Sequence, residues 1–202
     1  MVLDKISYLN SLGIKAVVVA CNTATSVAID TLREKYSMPI IGVEPALKPA
    51  VLDSDYPTVA VMATPVTVNE EKFLLLTKHY SDRAKIIPVA CERLAAFVER
   101  GVLEGQELEE YIGALFSGLG KIDSVVLGCT HYPFVRSTVE KIVGPRVKIF
   151  DGGAGTARET KRRLEEAGLL KTDGAPGEIT FLNSLESEEE KSFCMRLFGT
   201  MD

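Results

Sequence analysis

The chain has 202 residues, of which 46% are hydrophobic and 25% charged, and its formal net charge is −5. This is the composition of a globular protein with room for one large or two small domains. It has no dense Lys/Arg stripe, so nucleic acid is not an expected partner; it also lacks an apolar run near the roughly 18 residues of a membrane span and the apolar core of a signal peptide at its start, so no membrane partner and a cytoplasmic location are expected.

In chain order, Ile6, Leu9 and Leu12 mark an amphipathic helix that stops at Gly13. Residues 14–20 read as a strand, and Asn22 or Thr23 is the expected cap of a helix running to about Tyr36. A strand over 38–43 precedes a helix opened by Glu44-Pro45-Ala46. Residues 53–57 are turn-rich and fit a passage into a second lobe. A strand over 58–63 leads through Thr64-Pro65-Val66-Thr67 into a helix reaching Tyr80. A strand over 84–90, a helix over 92–100 ending at Gly101, and a helix over 106–119 follow.

The run Ser124-Val125-Val126-Leu127 reads as a buried strand. It stops at Gly128, and Cys129, Thr130 and His131 follow at once, with Pro133 suited to the first turn of a helix reaching Val143. A strand over 147–150, a turn at Asp151-Gly152-Gly153 and a helix through Ala167 come next. After a polar loop over 171–177, residues 178–182 are the last expected strand and 186–198 the last helix, with Glu188, Glu189 and Glu190 on a solvated face. Strands alternating with helices imply parallel sheets covered by helices.

Two stretches share one grammar. Val17-Val18-Val19-Ala20-Cys21-Asn22-Thr23-Ala24-Thr25 and the run from Ser124 to Phe134 each take an apolar strand into a cysteine, small polar groups and a helix. Ligands of α/β folds bind at that carboxyl edge, where the first N–H groups of a helix attract anions. The alternative for either stretch alone is a buried cysteine followed by turn residues. Two thiols facing each other across one carbon are what a stereochemical inversion needs: one takes a proton and the other supplies one from behind. Cys91 and Cys194 sit in more apolar surroundings and read as core or surface thiols, and without C-x-x-C pairs no metal site is expected. Gly152-Gly153-Ala154-Gly155 lacks the Lys-Ser/Thr of a phosphate loop and reads as the turn before a helix.

Ala20-Cys21-Asn22-Thr23-Ala24-Thr25 and Leu127-Gly128-Cys129-Thr130-His131-Tyr132-Pro133-Phe134 resemble, in order, the two signature motifs of the glutamate racemase family. The resemblance implies two similar α/β lobes with mainly parallel sheets flanked by helices and the active site in the cleft between them. Residues 1–52 with 151–202 are then the first lobe and 53–150 the second. It implies a cytoplasmic, cofactor-independent isomerase that supplies D-glutamate for peptidoglycan, with glutamate as its small-molecule partner.

Carried over residue by residue, Cys21 takes the proton from D-glutamate and Cys129 from L-glutamate. His131 assists Cys129, since imidazole titrates near neutrality, and Glu99 supports His131; a structural histidine and a surface glutamate are the plainer readings. Asn22, Thr23 and Thr130 suit a zwitterionic substrate, with helix capping as a compatible role. Thr64 and Thr67 match a pair of substrate-contacting threonines more loosely, because the family more often has Ala-Thr-Val-x-Ser here; either is also a helix cap.

The resemblance departs at the amino end. The family pattern opens with a strand carrying Asp-Ser-Gly and continues to a Pro-Tyr-Gly segment, and neither occurs in this sequence. The family aspartate assists the first cysteine, and its serine and the Pro-Tyr-Gly segment hold substrate. Without that strand, residues 15–20 are expected to expose a sheet edge that invites pairing with another chain, such as a homodimer. Two alternatives stay open: a related aspartate-type racemase, and an inactive fragment that only binds or self-associates.

Overall fold

The computed structural model describes residues 2–174, 177–185 and 187–199. Two compact units divide at Met1–Leu170 and Lys171–Asp202.

The first unit opens with α1 (Val2–Ser11), β1 (Val17–Val19), α2 (Asn22–Lys35) and β2 (Ile40–Gly42). β1 and β2 form a two-stranded parallel sheet, with Val17 opposite Ile40 and Val19 opposite Gly42. Ile6, Val17, Val19, Ile29, Leu32 and Ile40 form one apolar core between this sheet and its two helices. Gly42 permits the close approach of β2 to α2, since a Cβ there would lie 2.5 Å from the Thr25 methyl. Among the described residues β1 pairs only with β2, so its other edge is open, and Val18 on it is 42% exposed. The expected edge is therefore present.

Next come α3 (Leu47–Val51), β3 (Thr58–Ala63), α4 (Pro65–Asn69), α5 (Glu71–His79), β4 (Lys85–Ala90), α6 (Leu94–Glu99), α7 (Gln106–Phe116) and β5 (Ser124–Leu127). A 3₁₀ turn (Tyr132–Val135), α8 (Arg136–Val143), β6 (Lys148–Asp151) and α9 (Gly153–Glu166) complete the unit. The four strands make one parallel sheet in the order β4-β3-β5-β6. Residues 59–63 of β3 and all of β5 are buried, as continuous apolar runs in a helix-covered parallel sheet must be. Leu47, Val51, Val59, Val61, Phe73 and Val126 form the core on one face.

Three expectations need correction. The helix expected from Pro65 to Tyr80 is two helices: Glu70 is extended (φ −72°, ψ 139°) and joins α4 to α5. The Asn69 side chain donates to the Pro65 carbonyl at 2.7 Å, the local competition with helical bonding that short amides favour. The helix expected to reach Leu119 stops at Phe116, before Gly118 at φ 80°. The strand expected over 178–182 is irregular chain.

That last segment lies in the second unit, whose one regular element among the described residues is α10 (Glu188–Phe198). Alternation alone makes no strand, and no partner strand is present among the described residues of that unit; Ile179 and Leu182 are 62% and 55% exposed. Ser187 caps α10, accepting from the Glu190 amide at 3.3 Å. The expected helix start at Glu186, and Ala175 and Pro176 of the expected loop, lie outside the described residues.

Candidate active site

The order β4-β3-β5-β6 means that the chain leaves β3 toward one side for β4 and returns on the other side for β5. Such a reversal opens a crevice outside the carboxyl ends of the two central strands. β3 ends there in Ala63-Thr64, and β5 ends in Gly128-Cys129. The Gly128 amide donates to the Met62 carbonyl at 2.8 Å, and a Cβ on Gly128 would sit 2.7 Å from that same oxygen. Only glycine lets the chain turn here without moving β3.

Tyr132 anchors the turn from below. Its side chain is fully buried, its hydroxyl donates to the Cys91 carbonyl at 3.4 Å, and its amide donates to the Cys129 carbonyl at 3.2 Å. Burial pushes the phenol above its ordinary range, so it remains a neutral donor. With Tyr132 fixed, Cys129 is half-buried and Thr130 exposed in the turn above it. Cys91 is a core thiol, 1% exposed, and burial pushes it up to about 12; Cys194 is an exposed surface thiol.

Cys21 occupies the equivalent place after β1. It is exposed, and it rather than Asn22 or Thr23 caps α2: its backbone is extended (φ −105°, ψ 121°) and its Sγ accepts from the Ala24 amide at 3.4 Å. The two expected caps are engaged elsewhere. Asn22, 8% exposed, sends Nδ2 to the Gly128 carbonyl at 2.7 Å. The Thr23 hydroxyl lies 2.9 Å from that of Thr67 and 3.3 Å from that of Thr64, which are 3.0 Å apart. Thr64 also caps α4 through the Thr67 amide, fulfilling the helix-cap reading of that threonine. Thr25 fastens this arrangement to its sheet, donating to the Val19 carbonyl at 2.9 Å and accepting from the Val43 amide at 3.1 Å.

His131 lies between two groups. Its Nδ1 is 3.6 Å from the Cys129 sulfur, and its Nε2 is 2.5 Å from Glu99 Oε1. The bond to Cys129 raises its pKa, burial opposes the rise, and Glu99 adds to it, leaving the imidazole at about 9. Near neutral pH His131 is therefore an imidazolium that donates to both neighbours.

Cys129, His131 and Glu99 thus form one chain of contacts, and Thr23, Thr64 and Thr67 another. Asn22 connects the end of the small sheet to the end of the large one. A cavity of about 180 Å³ opens beside Asn22 and Thr67, with Glu44, Glu70 and Lys72 in its wall. The Asn22 Oδ1 is buried with no partner among the described residues. The contacts of the Gly128 carbonyl and the Tyr132 hydroxyl are ones that motif reading passes over; the small residue before Cys129 and the aromatic after His131 were their only signals. Among the described residues no group of three His, Cys, Asp or Glu side chains is placed to hold a metal ion, and no helix is long and apolar enough to cross a membrane.

Residues 1–160 match the Asp/Glu/hydantoin racemase family, and the chain belongs to that isomerase family. Glutamate racemases are among its relatives. One from Clostridium botulinum is 48% identical over 180 residues, which cover 88% of this chain and 70% of that protein. The crystal structure of a glutamate racemase isoform from Bacillus anthracis is similar with a TM-score of 0.73 at 29% identity, over 84% of this chain and 65% of that one. The Escherichia coli glutamate racemase, crystallised with L-glutamate and an activator, is similar with a TM-score of 0.69 at 29% identity, over 75% of this chain and 59% of that one. The chain therefore spans less than two thirds of the length of these two solved relatives.

Proposed function

We propose that this chain interconverts L- and D-glutamate, the reaction that supplies D-glutamate for peptidoglycan, by moving the α-proton between two cysteine side chains without a cofactor. The observation that carries the reading is the Asn22–Gly128 bond, which holds together the turns bearing Cys21 and Cys129 at the carboxyl ends of strands from two sheets.

The α-C–H bond breaks as one thiolate takes the proton; a new C–H bond forms on the opposite face as the other thiol gives up its own. The site returns with the roles exchanged. The His131 imidazolium stabilises a Cys129 thiolate and is oriented by Glu99. The α-carbon is a very weak acid, so preorganised donors at the substrate carboxylate and exclusion of water supply much of the barrier reduction. In this reading Thr23, Thr64, Thr67, Thr130 and the first amides of α2 bind the carboxylate and Asn22 Oδ1 the ammonium; the mutual contacts of the threonine hydroxyls and the lack of a partner for that oxygen among the described residues support it. Polarimetry on L-glutamate, D-glutamate and both aspartate enantiomers tests the substrate. The reading predicts approach to a racemic mixture from either glutamate enantiomer; turnover of aspartate in preference to glutamate overturns it.

A second reading has the open edge of β1 behind it: a chain that self-associates through that edge. Sedimentation velocity across a concentration series tests it. Association weakened by Val18→Lys supports edge pairing, and a monomer at all concentrations overturns it.

A further inference from the structure

Glu99 is the last residue of α6, a helix of 6 residues whose N-cap, Arg93, contributes no side-chain cap. Its carboxylate is more exposed than the imidazole it meets, 58% against 31%, so water competes for it. Something must hold the helix for the contact to persist. Tyr111, from the middle of α7, touches α6 three times. Its hydroxyl accepts the Arg93 backbone N–H at 3.1 Å. Its ring lies 4.8 Å from the Arg93 guanidinium and 5.4 Å from the ring of buried Phe97. Arg100 covers Phe97 at 5.0 Å. Positions 93, 97 and 100 share one helical face, so these contacts fix both the rotation and the height of α6.

α7 is itself immobilised. Leu108 and Ile112 are fully buried, and Glu109 pairs with Lys141 of α8 at 2.7 Å. α8 continues directly from the turn that follows His131. The contacts close a circuit from His131 through α8 and α7 to Tyr111, then through α6 to Glu99 and back to His131.

We propose that Tyr111 is a positioning residue: its hydroxyl and ring set α6 so that Glu99 meets His131, which in turn keeps the imidazole directed at Cys129. Tyr111 touches no reacting atom. The titratable and charged groups facing His131 are Cys129 and Glu99, and those near Tyr111 are Arg93, Glu92, Cys91 and Tyr132. The proposal rests on the reading that His131 serves Cys129, but its test needs no turnover, so a failure of racemisation and a failure of this proposal remain distinguishable.

The test is the NMR titration of the His131 ring protons, assigned against His79, the one other histidine in the sequence. In the unmodified chain the midpoint is expected well above the ordinary 6.5, because Cys129 and Glu99 both favour the charged imidazole. Tyr111→Phe, which removes one oxygen, is expected to move it down toward that value while the His79 signal holds still. Tyr111→Ala is expected to move it further. In a Glu99→Gln background, Tyr111→Phe is expected to cause no additional shift. A midpoint unchanged by Tyr111→Phe overturns the proposal. So does an equal downward shift in the Glu99→Gln background, which would mean general loosening. If Tyr111→Ala does not fold, the Tyr111→Phe pair decides alone.

Discussion

The side-chain amide of Asn22 donates to the backbone carbonyl of Gly128 at 2.7 Å, across 106 residues of sequence. It brings the turn after β1 to the turn after β5. Asn22→Ala removes that donor and leaves a buried carbonyl unsatisfied, a loss of about 1–3 kcal/mol. Because the same substitution deletes the partnerless Oδ1, the expected loss in urea denaturation lies toward the low end of that range. The accompanying expectation is a larger fall in kcat/KM for glutamate than the stability change alone explains.

Gly128→Ala tests the close approach from the other side. Its new Cβ meets the Met62 carbonyl oxygen, which belongs to a central strand and cannot swing away. Overpacking of this kind costs about 1–3 kcal/mol. A lowered melting temperature, with changed amide shifts at Met62 and Cys129, is the expected outcome.

The pH dependence of His131 follows from its neighbours. Its folded pKa is about 9, raised first by the bond to Cys129, opposed by burial and raised again by Glu99, against 6.5 for the ordinary side chain. A raised pKa means that the stabilisation is fully present below about 6.5 and is lost as pH rises through about 9. The stability difference between the unmodified chain and His131→Asn should therefore shrink between those values in urea titrations at stepped pH. Glu99→Gln should narrow the window by lowering its upper end.

The threonine cluster gives a separable prediction. Thr67 is 4% exposed and its hydroxyl has two hydroxyl neighbours. Thr67→Val keeps the shape and removes the polar atom, at an expected cost of about 1 kcal/mol. Thr23→Val should be non-additive with it in a double-mutant cycle, whereas Thr160→Val on α9 should be additive.

These residues also show where sequence reading succeeds. The strands around Val59–Met62 and Val125–Leu127 were legible because central strands of a covered parallel sheet must be apolar without a break. The cysteine motifs were legible because a reactive side chain at a strand-to-helix junction leaves a local pattern. Cys21 as the cap of α2 was not legible, since cysteine is outside the usual capping residues and the better candidates, Asn22 and Thr23, have long-range partners. The break at Glu70 was hidden by apolar periodicity that runs through it. Alternation in Ile179 to Leu182 looked like a strand because alternation does not record whether a partner strand exists. The Asn22–Gly128 bond and the Tyr111–Arg93 contact depend on tertiary placement, and no local signal encodes them.

The central claim is that Cys21 and Cys129 exchange one proton with the α-carbon from opposite faces. Its most direct test is α-proton exchange in deuterated water, followed by mass spectrometry and chiral chromatography from each pure enantiomer of glutamate, with Cys21→Ser and Cys129→Ser alongside. The unmodified chain is expected to turn each enantiomer into its mirror image with deuterium at the α-carbon. Either serine variant is expected to abolish this conversion, since a serine alkoxide is not accessible near neutral pH. Inversion that survives replacement of either cysteine, or the absence of both inversion and α-deuterium from either enantiomer, would contradict it.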